Sequence, residues 1–258
     1  MDEAKKSLDR AGGARFSLKS RWLLTCIQAD GPDQALYQTL AEGFGDSSNR
    51  RPFVELANRA PYQAVSKAAM QLPPGERVRA IYGWLNSCSA LGSPDPAEST
   101  CLARPAAFGP VMEHKEWKLF RVRPSNHPRR RTLAAAILLN RFLEPGLAWG
   151  LGKVMEKLSP AKLIHALCAF SETGPACVGR GRAIDLAVNA VLPFMHAWDE
   201  FEFREETRSV SETLYRKFPM LADNEIIREM MAQLLPLESR SAVTGARSQR
   251  GLLHLRLC

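Results

Sequence analysis

The sequence predicts an all-α protein, a multi-helix globular array with at most a short extended segment near residues 119–123. Three observations carry that expectation. Apolar residues recur at helical spacing in one segment after another, alternating apolar and polar runs are nearly absent, and turn residues break the chain at helix-length intervals. The chain has 258 residues, 45% of them hydrophobic and 24% charged, enough to bury a sizeable core and unlike the composition of a disordered chain.

Taken in order, Leu36, Tyr37, Leu40, Ala41 and Phe44 form a first stripe, with Asp33 as its expected N-cap and Gly43 and Gly45 as its stop. Pro52 opens a second helix that buries Phe53, Leu56 and Ala57. Val78, Ile81, Tyr82 and Leu85 make a third. Asn126 is the expected cap of a helix that has Pro128 in its first turn and runs to Phe142 before Pro145 and Gly146. Ser159 and Pro160 start the next, with Leu163, Ile164 and Leu167 inward. Leu186, Ala190, Phe194, Ala197 and Trp198 share a side of the segment Asp185 to Trp198. Val210, Leu214, Tyr215 and Phe218 make a further helix, and Asp223 is expected to cap one that buries Ile226, Ile227, Met230 and Leu234. Phe120 to Arg123 is the extended candidate, because Pro124 disfavours helix just before it.

The stretch Leu91 to Pro105 is rich in proline, serine and glycine and reads as a loop or linker. It divides an N-terminal helical subdomain, 1–90, from a C-terminal one, 106–258, with one continuous domain as the alternative. The longest clean apolar run, Leu133 to Leu139, is far short of the roughly 20 residues that span a bilayer. The N-terminus carries no apolar leader, so a cytoplasmic location with no membrane contact is expected. The six cysteines are widely and irregularly spaced, as reduced thiols are. No fixed-period repeat is evident.

Formal net charge is +8 and unevenly placed. Residues 114–131 hold Lys115, Lys118, Arg121, Arg123, Arg129, Arg130 and Arg131 against Glu116, and the tail adds Arg240, Arg247, Arg250 and Arg256. Asp199, Glu200, Glu202, Glu205 and Glu206 form a compensating acidic strip. Such a basic stretch either draws an external anion, nucleic acid above all, or is neutralised inside the fold by acids such as Glu200 or Glu205. Within RPSNHPRRR, Arg123 to Arg131, three arginines sit in the first turn of a helix, where cations oppose the macrodipole by about 0.3–1 kcal/mol each when exposed. Free N–H groups flanked by guanidinium groups suit a phosphate or carboxylate. Lys118, Arg121, Arg123, Asn126, Arg129, Arg130 and Arg131, with Arg180 and Arg182 further on, are therefore the candidate anion-binding residues.

Other motifs say less. Gly152-Lys153 fails as a phosphate loop, because the glycine spacing is too long and Val154 stands where a metal-binding Ser or Thr belongs. His165, Cys168 and Cys177 lack a fourth partner for zinc, so no metal and no cofactor is assigned. Pro193 cannot donate to the carbonyl of Asn189, which predicts a kink beside a polar side chain in an apolar helix. Asn189 then either bridges to a neighbouring helix or binds a ligand. Asn189, Pro193, Asn224 and Gln249 form the expected structural polar set.

These residues also carry a resemblance. Arg15-Phe16 with Lys19, Gly45 with Asn49 and Arg50, Phe53 with Leu56-Ala57, RPSNHPRRR, and Val178-Gly179 with Arg182, Asn189 and Pro193 occur in order. Pro219 with Asn224, Ile226 and Ile227, then Gln249 with Leu252 and Leu253, complete the series. The chain resembles a bacterial domain-of-unknown-function family, number 2851. Longer members of that family begin with an α/β portion whose Gly-Pro-Asp-Phe and Val-Glu-Ile-His signatures resemble a restriction-endonuclease-like metal site. Here Gly31-Pro32-Asp33 is followed by Gln34 and a helix, so no catalytic role passes to Asp33. Some members also extend further with a cysteine cluster, whereas this sequence stops at Cys258. The resemblance implies the family's helical C-terminal portion only, as a fragment or a split protein. It implies a nuclease-like partner chain or a missing N-terminal domain.

The expected function is a non-catalytic helical module that contacts DNA or RNA through the basic stretch on behalf of such a partner. The alternative is a structural or protein-interaction module without a nucleic-acid role. An enzyme in its own right would need an acid–base or metal constellation that residue spacing does not reveal.

Overall fold

A computed structural model describes residues 2–45, 48–92, 103–171, 176–222 and 225–256. Among them the chain forms thirteen α-helices and no sheet, as the helical stripes predicted. The extended contact that does form is one isolated bridge, Ala169 to Val178. The 119–123 segment is a turn rather than a strand. Val122 N–H donates to the Leu119 carbonyl across 3.4 Å, and Arg121 takes the positive φ of 57° that the third position of such a turn requires.

The first helix, α1 (Asp2–Asp30), has no clean apolar stripe in sequence, because charges crowd it and Gly12-Gly13 interrupts it. Its buried side, Leu8, Ala11, Phe16, Ser20, Leu23 and Ile27, nevertheless returns every three to five residues, as one face of a helix does. The last helix, α13 (Ala246–Leu255), crosses it at glycine. A Cβ on Gly12 would lie 2.1 Å from the Arg247 carbonyl oxygen, and one on Gly251 would lie 2.2 Å from that of Leu8. The two backbones touch because neither glycine has a side chain.

Between these ends run α2 (Pro32–Phe44), α3 (Arg50–Arg59), α4 (Tyr62–Met70) and α5 (Pro74–Ser89). They are followed by α6 (Pro128–Arg141), α7 (Leu147–Met155) and α8 (Pro160–Leu167). A continuous helical rod comes next, made of α9 (Arg180–Leu186), a π turn at Ala187–Val191 and α10 (Leu192–Phe201). The remaining helices are α11 (Glu205–Lys217) and α12 (Glu225–Leu234). One apolar cluster takes in Leu36 and Ile81 from before the 91–105 segment and Leu138, Phe194 and Phe218 from after it. Residues 93–102 of that segment lie outside the described residues. A smaller cluster of Leu8, Ile227, Met230, Val243 and Leu252 packs α12 and α13 on the start of α1. Ile226 and Leu234, expected inside with Ile227 and Met230, are instead 46% and 40% exposed.

Asp33 does not cap its own helix, which starts at Pro32 behind Gly31. Its Oδ1 accepts the Ala148 N–H at 2.8 Å and so caps α7, 115 residues away. Tyr62 accepts the neighbouring Leu147 N–H through its hydroxyl at 3.2 Å. Gly146, at φ 122°, lets the carboxylate come this close: a Cβ there would sit 3.0 Å from Oδ2. Likewise α6 is capped by His127 rather than Asn126, its Nδ1 accepting the Arg129 N–H at 3.4 Å. Burial, with the Arg129 charge beside it, holds this imidazole below its ordinary pKa. Asp223, the expected cap of α12, lies outside the described residues. No helix among the described residues is long and apolar enough to cross a membrane.

Candidate functional site

The fold splits the basic stretch in two. Three of its cations turn inward. Arg129 donates from Nε to the Leu91 carbonyl at 2.8 Å, and Arg130 donates from Nη2 to the Ala176 carbonyl at 3.1 Å. Arg131, buried, donates from Nη2 to Asn126 Oδ1 at 2.8 Å and from Nη1 to the Cys177 carbonyl. Arg141, at the far end of the same helix, reaches the Cys168 carbonyl at 2.7 Å. The cations that oppose the α6 dipole thus donate to loop carbonyls. Asp199 pairs instead with Arg204 at 3.3 Å, and the side chains of Glu205 and Glu206 lie outside the described residues.

The other half stays outside. Lys118, Arg121 and Arg123 are exposed around the turn, with Phe120 at its tip 84% exposed. Asn49 fixes the turn from the start of α3: its Nδ2 donates to the Lys118 carbonyl at 3.0 Å and its Oδ1 accepts the Lys118 N–H at 2.9 Å. The next residue, Arg50, belongs to the wall of a cleft.

That cleft, about 750 Å³, gathers side chains from helices far apart in the chain. Helix α1 contributes Arg15, Lys19 and Trp22, α3 contributes Arg50, α9 contributes Arg182 and Asp185, α11 contributes Tyr215, and α13 contributes Gln249, Arg250 and His254. Two glycines let the end of α2 close the wall. A Cβ on Gly43 would lie 2.5 Å from Leu186 Cδ2, and one on Gly45 would lie 2.4 Å from the Arg50 nitrogen. The kink expected at Pro193 is a π turn: Leu192 N–H donates to the Ala187 carbonyl five residues back, and Pro193 has no N–H with which to close the next turn. Asn189, inside that turn, lines the cleft, and its Oδ1 accepts from Arg250 Nη2. Gln249 clamps the chain after α11, accepting the Leu221 N–H at 2.8 Å and donating to its carbonyl at 3.2 Å. Arg180 is exposed at the start of α9. Asn224 lies outside the described residues.

Charge in the cleft is unbalanced. Lys19 pairs with Glu42 at 3.3 Å, and Arg182 reaches Asp185 at the 4.0 Å limit. Among the described residues no carboxylate lies within 4.0 Å of Arg15, Arg50 or Arg250. Burial pushes the Arg250 guanidinium below its ordinary pKa, and the positive charges of Arg15 and Arg50 push the same way, while Tyr215 and Asp185 oppose them. Its Nε is buried without a hydrogen-bond partner among the described residues. Burial raises the Asp185 carboxyl although Arg182 and Arg250 pull it down. The Tyr215 hydroxyl is pushed up to about 12 by burial, with Arg250, Arg247 and Arg15 pulling back. Guanidinium groups crowded in one cleft are the chemistry that suits a polyvalent anion.

His165, Cys168 and Cys177 do not converge as a metal-ligand group. Among the described residues no three histidine, cysteine or acidic side chains converge as metal ligands. Cys26, Cys88, Cys168 and Cys177 are free thiols.

The fold and the site define an all-helical protein built around a cationic cleft. The chain belongs to the family described as protein of unknown function (DUF2851), whose model matches residues 2–220. That match begins at residue 2, so the restriction to a C-terminal portion of the family is not borne out. No curated protein and no solved structure matches the chain. Arg15, Lys19, Gly45, Arg50, Arg182, Asn189, Pro193 and Gln249, which carried the resemblance as scattered short motifs, all line the one cleft. Sequence reasoning did not name Arg15, Lys19, Arg50 or Arg250 as binding residues. For the first three the signal was there, a cation inside each otherwise unexplained motif, while Arg250 carried none beyond the charge of the tail.

Proposed function

We propose that the chain is a non-catalytic nucleic-acid-binding module that holds phosphates in the cleft between α1, α3, α9 and α13, and that a nuclease-like partner or domain supplies any scission. The observation that carries this reading is the convergence of Arg15, Arg50 and Arg250 with no carboxylate among the described residues within ion-pairing distance. Arg250 is held by Asn189 Oδ1, whereas among the described residues Arg15 and Arg50 have no acid or carbonyl of the kind that holds Arg129 and Arg130. Lys118, Arg121 and Arg123, tied to the cleft wall through Asn49, extend the same positive surface.

The experiment is fluorescence anisotropy of the full chain with labelled DNA and RNA oligonucleotides across a salt series. Four phosphate contacts give a log–log slope of about −3 on a single strand, and Arg15→Gln with Arg50→Gln flattens it by about 1.4. No binding of either polymer at low salt refutes the proposal and leaves the protein-interaction reading in its place.

A further inference from the structure

We infer that the cleft takes a single strand rather than a duplex, seating a phosphate among Arg15, Arg50 and Arg250 and stacking a neighbouring base on Trp22 at the rim. This rests on the reading of the cleft as a phosphate site. Its size comes first: about 750 Å³ is the volume of a small-ligand pocket, room for one or two nucleotides and too little for a double helix. The layout of α1 comes second. Arg15, Lys19 and Trp22 follow one another at helical spacing along the same wall, so Trp22 stands about 10.5 Å up the helix from Arg15, within reach of a strand whose phosphate is held at Arg15.

The aromatic itself comes third. Trp22 is 50% exposed although it lines a cleft, and Lys19 Nζ lies 4.2 Å from its ring centroid. A cation against one face of an indole leaves the opposite face for a flat ring, and bases of every identity stack on such a face. Leu18, 51% exposed, widens the apolar rim beside it. An aromatic platform at the mouth of a basic groove binds unpaired bases with little sequence preference.

The test compares a fluorescent oligothymidylate with a blunt duplex of equal strand length, both titrated into the full chain at low salt, with tryptophan emission read in parallel. The single strand is expected to bind at least tenfold more tightly and to quench emission. Trp22→Ala should weaken its binding about tenfold, remove most of the quenching, and leave the salt slope and melting temperature unchanged, while Trp22→Phe restores most of the affinity. Equal or tighter duplex binding, or a Trp22→Ala protein that binds the strand like the wild type, overturns the inference and leaves the phosphate site standing. Failure of both polymers to bind overturns the phosphate site and this inference together.

Discussion

Asn189, opened out of its helix by the π turn, accepts a hydrogen bond from Arg250 of the last helix, and so ties the rod of α9 and α10 to α13 across the floor of the cleft. Losing that acceptor strands a largely buried guanidinium. Asn189→Leu should therefore destabilise by about 1–3 kcal/mol in urea denaturation. Asn189→Asp should keep the fold and weaken anion binding, because its charge occupies Arg250. A leucine variant as stable as the wild type would mean that the contact contributes nothing.

Arg131 should behave as a structural residue. Its bonds to Asn126 and to the Cys177 carbonyl hold a buried side chain, so Arg131→Gln should cost about 2–4 kcal/mol in chemical denaturation. Arg121→Gln with Arg123→Gln, on exposed positions, should leave the melting temperature unchanged and reduce only salt-sensitive binding. A variant with Arg129, Arg130 and Arg131 all changed to Gln that keeps its melting temperature and loses binding would reverse this assignment.

The carboxylate of Asp33 caps a helix at the cost of burial. Asp33→Ala should lose about 1–2 kcal/mol, the usual value of a cap, whereas Asp33→Asn keeps the acceptor. The carboxyl is raised above its ordinary 3.8, chiefly by burial, with the N–H groups of Ala148 and Leu147 opposing. The folded state therefore holds that proton more tightly than the unfolded chain, and the wild type loses stability as pH rises from 3.8 through the raised value. Across that window Asp33→Asn should gain on the wild type, as denaturation midpoints at a series of pH values would show. A wild type that gains on the asparagine variant over the same rise would contradict it.

Asp185 sets a pH dependence of binding in the same manner. Its carboxyl is raised from 3.8 by burial, against Arg182 and Arg250, and when ionised it repels an incoming phosphate. Asp185→Asn should bind about fivefold more tightly than the wild type above the raised pKa, roughly the 1 kcal/mol of one partly screened charge, and no more tightly below it. Taking the ratio of the two proteins at each pH removes the ligand's own titration. A ratio that stays flat would show that Asp185 does not face the anion.

How much was legible in the sequence follows from how local each feature is. Helices α2, α3, α5, α6, α8 and α10 declare themselves because their apolar faces repeat cleanly, as at Leu36, Leu40 and Phe44. Helix α1 does not, because Gly12 and a dense run of charges mask a face that becomes apolar only against α13. Helix α7 reads as a failed phosphate loop, since its glycines serve packing: a Cβ on Gly150 would lie 2.5 Å from the Phe142 ring. Charge density singles out Arg129 to Arg131, yet the carbonyls that hold them, at Leu91, Ala176 and Cys177, are distant in sequence and invisible to any window. The cleft has the opposite property. Arg15, Arg50, Arg182 and Arg250 come from four helices, no stretch of sequence holds two of them, and only folding places them together.

The most direct measurement uses the repulsion in the cleft itself, since a site held ready for an anion sacrifices stability that its own substitution should restore. Thermal unfolding of the wild type and of Arg15→Gln with Arg50→Gln, each with and without a saturating single-stranded oligonucleotide, separates the two effects. Without ligand the double variant should unfold at a higher temperature than the wild type, and the oligonucleotide should raise the wild-type temperature by clearly more than the variant's. A double variant that is less stable than the wild type, yet is stabilised by the oligonucleotide to the same extent, would contradict it.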